Sequence, residues 1–186
     1  RALFYLVAVT TGLRKGELAS LTVGQVHLNT CKPHIELLAR DSKSGKEARI
    51  PLRSDVAGQL RDHLASQMAE GKGLQEGQRK RRSERPCNAR LFPHPPSIRV
   101  FDRGLLAAGL AKMDDTGAIN KTDSRGRVID IHALRHTFAT HLTMVGVPPR
   151  VAQAALRHSR IELTMSLYTD PVLLDINDAI SRLPEL

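Results

Sequence analysis

Val56, Leu60, Leu64 and Met68 recur every fourth residue, which lines them up as one apolar stripe along an α-helix and demands another apolar surface to cover it. Ser54 can cap that helix, and its pattern fades at Gly71. The same signature returns along the chain. Residues 1 to 10 read as an apolar helix broken by Gly12, and LRKGELASLT resumes helical spacing with Leu13, Leu18 and Leu21 near one face, a helix-turn-helix-like start. Ser97 opens a further helix with Val100, Phe101, Leu105 and Ala108 on one side. HALRHTFATHLTMV reads as a strong helix stopped by Gly146, and Pro148 or Pro149 opens PRVAQAALRH. With no Trp, two Tyr and four Phe, the core must come mainly from Leu, Val, Ile and Ala, which again favours helices.

One stretch departs from this period. HIELLA, DSKSGKE and ARIPL read as two strands joined by a polar turn, with Gly45 able to take a positive φ and Lys43 on or beside the turn. The expected fold is therefore mainly α (α+β), with one small antiparallel sheet in a single compact domain over 1–186. RVIDI, after the turn residues DDTG, reads as a loop or short strand. Residues 70–96, rich in Gly, Gln, Arg and Lys and holding Arg79, Lys80, Arg81 and Arg82, read as a mobile basic loop insertion. That loop is either a solvated insertion or a DNA-tracking arm. Leu173, Leu174, Ile176, Ile180 and Leu183 give residues 171–186 the pattern of an amphipathic tail helix. The first residue, Arg1, stands in the middle of a helical pattern, from which a preceding N-terminal domain is expected.

Twenty-eight Lys and Arg against nineteen acids leave a formal charge of +9. Such an excess attracts polyanions through long-range field and counterion release, and equally suits a solvated surface, so the charge alone leaves both readings open. Cys31 and Cys87 lie in polar contexts without metal-ligand spacing, so neither a disulfide framework nor a zinc site is indicated, and a reducing cytoplasm is the expected compartment. No apolar run approaches the length that crosses a bilayer, so no membrane partner is expected.

Arg14 and Glu17, three apart on a helix, share a face on which the carboxylate can hold the guanidinium in one orientation; alone, such a pair is also an ordinary surface ion pair. His132 and Arg135 repeat that spacing and put an imidazole and a second guanidinium on one surface. His136 and His141 lie nearby, but no acid or cysteine completes a metal-ligand set, and no metal or other cofactor is expected.

Read together and in order, TGLRKGEL, SKSGKEARIPL, HALRHTFATHL, LRHS and the Tyr168 of LTMSLYTD resemble the catalytic domain of tyrosine site-specific recombinases of the phage-integrase type, across essentially all 186 residues. The resemblance implies a helical catalytic domain with a small three-stranded antiparallel sheet, the DNA breaking-rejoining fold. It implies Arg14 and Arg135 as the phosphate-binding arginines, Lys43 as the hairpin lysine, His132 and His158 as paired histidines, Tyr168 as nucleophile and Glu17 as a supporting acid. A tyrosine hydroxyl, with an ordinary pKa near ~10, needs help to lose its proton, which His132 can give. Lys43 on a flexible turn can protonate the leaving 5′ oxygen; Lys46 is close by, but SKSG matches the family pattern at Lys43. The implied partner is double-stranded DNA, on which the protein would be a homotetramer and without which a monomer, with accessory DNA-bending proteins and a place in the bacterial cytoplasm or nucleoid. A type IB topoisomerase-like enzyme and a non-catalytic DNA-binding protein of the same fold are the alternatives. The sequence departs from the family pattern with Arg157 where Gly is common, and with one extra residue between His158 and Tyr168.

Overall fold

The computed structural model describes residues 1–70, 87–168 and 180–181, leaving the side chains of 68–70 and 168 aside. The elements run α1 (Ala2–Thr11), α2 (Lys15–Ser20), β1 (Val26–His27), β2 (His34–Leu37), β3 (Ala48–Pro51), α3 (Ser54–Glu70), α4 (Ile98–Ala107), β4 (Lys112–Met113), β5 (Ile119–Asn120), α5 (Ala133–Met144), α6 (Pro149–Leu156) and α7 (Glu162–Tyr168). The chain divides into two compact units, Arg1–Arg135 and His136–Leu186, whose boundary falls within α5.

The first unit is built around α1, α3 and a sheet. Phe4, Val7 and Ala8 of α1 meet Val56, Ala57 and Leu60 of α3 and Ile35, Leu37 and Ile50 of the strands in one buried cluster. Each Phe, Val, Leu or Ile side chain among them, fully buried, contributes roughly 1.5–3 kcal/mol. The predicted stripe on α3 is the face that does this, with Leu64 half-buried at its edge. Ser54 is the first residue of α3 rather than its cap: the opening helical bond runs from the Ala57 N–H to the carbonyl of Arg53 at 2.9 Å. Leu13 and Leu21 flank α2, and with Leu18 all three are buried as their spacing suggested.

The three strands form one antiparallel sheet in the order β1-β2-β3, with Ile35 opposite Ile50 and Glu36 opposite Arg49. The period-2 alternation buries Ile35, Leu37 and Ile50 and leaves Glu36 and Arg49 on the other face. Gly45 takes φ 66° in the β2–β3 connection, as its position predicted, and that connection begins with a 3-10 turn at Ala39–Asp41.

The end of the expected basic loop is part of the core. Cys87 and Ala89 carbonyls accept from Gly24 and Val23 N–H groups at 2.8 and 2.9 Å, Arg90 pairs with Thr22, and Leu91 and Phe92 are buried. A Cβ on Gly24 would stand 2.9 Å from the Cys87 carbonyl oxygen, so this close approach requires glycine. Residues 71–86, with the Arg79–Arg82 cluster, lie outside the described residues, as does nearly all of the tail at 171–186.

A second, two-stranded sheet of β4 and β5 flanks the turn residues DDTG, ahead of the RVIDI stretch expected as a loop or short strand. Phe101, Leu105 and Ala111 form a smaller cluster beside it, joined by Tyr5, Ile119 and Leu134, and Lys121 bridges to Asp102 at 2.7 Å. Ser97 caps α4 by accepting from the Val100 N–H at 3.4 Å.

In the second unit Gly146 (φ 71°) ends the turn after α5, and Pro149 occupies the first position of α6 with Pro148 before it. Ala139, Ala152, Leu156 and Thr164 are buried there. Arg157 ends α6 at φ 54°, in the left-handed region. Cys31 and Cys87 are free and exposed, and among the described residues no helix is long and apolar enough to cross a membrane.

Candidate active site

The sharp turn between α1 and α2 organises the first group of polar residues. Gly12 caps α1 at φ 61°, its N–H donating to the Ala8 carbonyl at 3.0 Å, and this left-handed conformation lets the chain reverse. Arg14 then stands at the start of α2. Glu17 reaches back so that one carboxylate oxygen accepts the Arg14 backbone N–H and the other accepts Arg14 Nη1, both at 2.9 Å. Glu17 is 2% exposed while the Arg14 side chain is 26% exposed, so the acid is interior support and the guanidinium opens outward. The predicted ion pair is thus far more fixed than a surface pair of the same spacing.

Arg135, on the first turn of α5, is 4% exposed, and its Nη1 donates to the carbonyl of Gly12. Burying a guanidinium costs several kcal/mol unless its donors are matched, and the Gly12 carbonyl supplies such a match. That bond brings the second arginine to the same turn that carries the first. His132 is exposed at the N-terminus of α5, its carbonyl accepting from the Arg135 N–H at 3.0 Å. Asp130 fixes this end of the helix, its carboxylate accepting from the N–H groups of His132 and Ala133 at 2.8 and 3.1 Å.

Lys43 is exposed on the turn that Gly45 closes through its N–H to the Ser42 carbonyl at 3.0 Å. No hydrogen bond or ion pair among the described residues joins it to the arginines; Lys46, also exposed, directly follows Gly45. His136 and His141 are exposed, and no three His, Cys, Asp or Glu side chains among the described residues group as metal ligands.

In the second unit, His158 follows the left-handed Arg157 and is half-buried. Its Nδ1 lies 3.0 Å from the hydroxyl of Thr164, which is fully buried on α7. Gln153 holds the His158 backbone from both sides, its carbonyl accepting from the His158 N–H at 3.1 Å and its Nε2 donating to the His158 carbonyl at 3.2 Å. Tyr168 is the last residue of α7, four residues beyond Thr164. The chain's other tyrosine is unsuited to nucleophilic work. The Tyr5 hydroxyl is buried without a hydrogen-bond partner among the described residues, and burial pushes its phenol above the ordinary value against a smaller opposing pull from Arg1.

Sequence reasoning missed Gly12, Asp130, Gln153 and Thr164 as supports. Asp130, just ahead of an apolar-periodic run, carries a readable helix-start signal; the Gly12 carbonyl carries none, because every residue has one.

Among curated relatives, tyrosine recombinase XerD of Listeria monocytogenes serotype 4b is 30% identical over 176 residues, covering 95% of this chain and 52% of the relative. Tyrosine recombinase XerA of Thermococcus kodakarensis is 27% identical over 167 residues, covering 90% and 49%. The chain thus spans about half the length of the curated relatives it matches. Among solved structures, XerA recombinase superposes with a TM-score of 0.61 at 21% identity over 100% of this chain and 59% of that one. The catalytic domain of bacteriophage HP1 integrase gives 0.55 at 23% identity over 98% and 81%, and the two share the tyrosine recombinase catalytic fold with this chain. The model of the phage integrase family matches residues 1–172, and the chain belongs to that family.

Proposed function

We propose that this chain is the catalytic domain of a site-specific recombinase that cleaves and rejoins double-stranded DNA through a 3′-phosphotyrosyl bond to Tyr168. The observation that carries the reading is the convergence of two oriented guanidiniums on one turn, Arg14 held by buried Glu17 and Arg135 held by the Gly12 carbonyl. A phosphodiester under attack by oxygen gathers negative charge on its non-bridging oxygens, and fixed guanidiniums stabilise that charge more strongly in the transition state than in the ground state.

In this reading the Tyr168 hydroxyl oxygen forms a bond to phosphorus as the bond from phosphorus to the 5′ oxygen breaks. His132 accepts the tyrosine proton, and the Lys43 ammonium gives its proton to the departing 5′ oxygen. His158 donates a hydrogen bond to a non-bridging oxygen. Attack by the 5′ hydroxyl of another strand then breaks the phosphotyrosyl bond and returns Tyr168 to its free form. One phosphoester replaces another at each step, so the reading assigns no metal, ATP or other cofactor.

The formal charge of +9 and a related XerH recombinase whose structure is described as bound to its difH substrate support duplex DNA as the partner. A homotetramer on DNA, a monomer without it, accessory DNA-bending proteins, a further DNA-binding domain before this one and a bacterial cytoplasmic or nucleoid location belong to the same proposal.

The test uses the full-length protein and a library of nicked duplexes of randomised sequence, scored for denaturant-resistant protein-DNA adducts and for strands joined to a second duplex. Arg14→Ala and Arg135→Ala each lower adduct formation by about 10²-fold or more, as loss of one charge-stabilising donor does elsewhere, and chelator leaves the wild type unchanged. DNA binding without any adduct would instead make the chain a binding module, and adducts without joining to a second duplex would favour a topoisomerase.

A further inference from the structure

His158 is an imidazole whose usefulness depends on which nitrogen carries the proton, and its surroundings decide that. The Thr164 hydroxyl is fully buried, lies 3.0 Å from His158 Nδ1 and has no other hydrogen-bond partner among the described residues. A hydroxyl in that position can donate its one hydrogen to Nδ1 or accept one from it. Accepting would leave its own O–H buried and unmatched, whereas donating leaves only lone pairs short of partners, the less costly deficiency. We infer that Thr164 is a positioning residue that donates to His158 Nδ1, keeping the neutral ring in the tautomer that carries its proton on Nε2.

This turns His158 into a hydrogen-bond donor that does not need to be charged, the form suited to a non-bridging phosphate oxygen. The rest of the geometry serves the same end. Gln153 clamps the His158 peptide at both its N–H and its carbonyl, so the ring has a fixed root as well as a fixed Nδ1. Thr164 lies one turn ahead of Tyr168 on α7, so the hydrogen bond also ties the histidine to the helix that carries the tyrosine. The tautomer assignment stands on these contacts alone; its consequence for DNA cleavage rests on the recombinase reading.

Nitrogen-15 NMR of the histidine rings, at a pH where His158 is neutral, tests the assignment in the wild-type chain. The expected spectrum has an unprotonated, pyridine-type Nδ1 and a protonated, pyrrole-type Nε2 for His158. A protonated Nδ1 overturns the inference. Thr164→Val keeps the β-branched shape and removes the hydroxyl, whereas Thr164→Ser keeps the hydroxyl. The Val variant is expected to lose the single-tautomer spectrum and to form adduct about tenfold more slowly at saturating DNA, with DNA affinity unchanged; the Ser variant is expected to retain both properties. Equal loss in the Ser and Val variants, at unchanged melting temperature, would reduce Thr164 to a packing residue. If the wild-type spectrum is as expected but the wild type forms no adduct, the tautomer assignment holds and the recombinase reading fails.

Discussion

A guanidinium holds one orientation only when fixed acceptors take its donors, and each of the two arginines here has one: Glu17 for Arg14, the Gly12 carbonyl for Arg135. Both supports are buried or belong to the backbone, which separates these residues from the solvated Arg53–Asp55 and Arg160–Glu162 pairs on the same chain. The residue scale also explains a departure noted in the sequence. Arg157 stands where Gly is common in the family, and it is the one non-glycine with positive φ among the described residues. A Cβ in that conformation costs roughly 1–2 kcal/mol, partly offset by the Arg157 Nη1 bond to the Ala155 carbonyl at 3.1 Å. Arg157→Gly is therefore expected to raise stability by about 1 kcal/mol in urea denaturation. A loss of stability would mean that the side chain's bonds outweigh the strain.

Among the elements, those with a long repeat were legible in the sequence and those held by single side chains were not. The stripe of Val56 and Leu60 and the alternation of Ile35 and Leu37 each declared a period, so α3 and the sheet could be read directly. The β4–β5 hairpin has strands of two residues, too short for any period, and depends on Asp114, whose carboxylate accepts from the Thr116 N–H, the Thr116 hydroxyl and the Ala118 N–H. Those bonds hold the Asp114 carboxyl below its ordinary value of 3.8, the Thr116 hydroxyl first among them. A carboxyl depressed in the folded state contributes stability above its unfolded pKa and loses it as pH falls through the lowered folded value. Amide-exchange protection at Thr116 and Ala118 is expected to fall below the ordinary carboxylate range in the wild type and to stay flat with pH in Asp114→Asn. Protection that is equally acid-sensitive in the Asn variant would place the switch elsewhere. The His158–Thr164 bond escaped sequence reading for a related reason: the six-residue spacing crosses a turn between two helices and matches no helical face.

For the whole molecule, the proposed groups are divided between the two compact units. Arg14, Glu17, Lys43, His132 and Arg135 belong to the first, and His158 and Tyr168 to the second. The order of these polar residues along the chain was legible because chemistry fixes their types, and so was Glu17 beside Arg14; the Gly12 carbonyl and the Thr164 hydroxyl were not, because such groups can be recruited from almost anywhere. The central claim is covalent attack by one of only two tyrosines, and the hydroxyl of the other, Tyr5, is buried with its pKa raised by that burial. The most direct measurement is therefore the identity of the residue joined to DNA. Adduct trapped on nicked duplex is digested with protease and nuclease, and the peptide that retains a nucleotide is sequenced by mass spectrometry. The account predicts a 3′-phosphonucleotide on Tyr168 and no adduct from Tyr168→Phe. A nucleotide on any other residue, or an undiminished adduct from Tyr168→Phe, would contradict it.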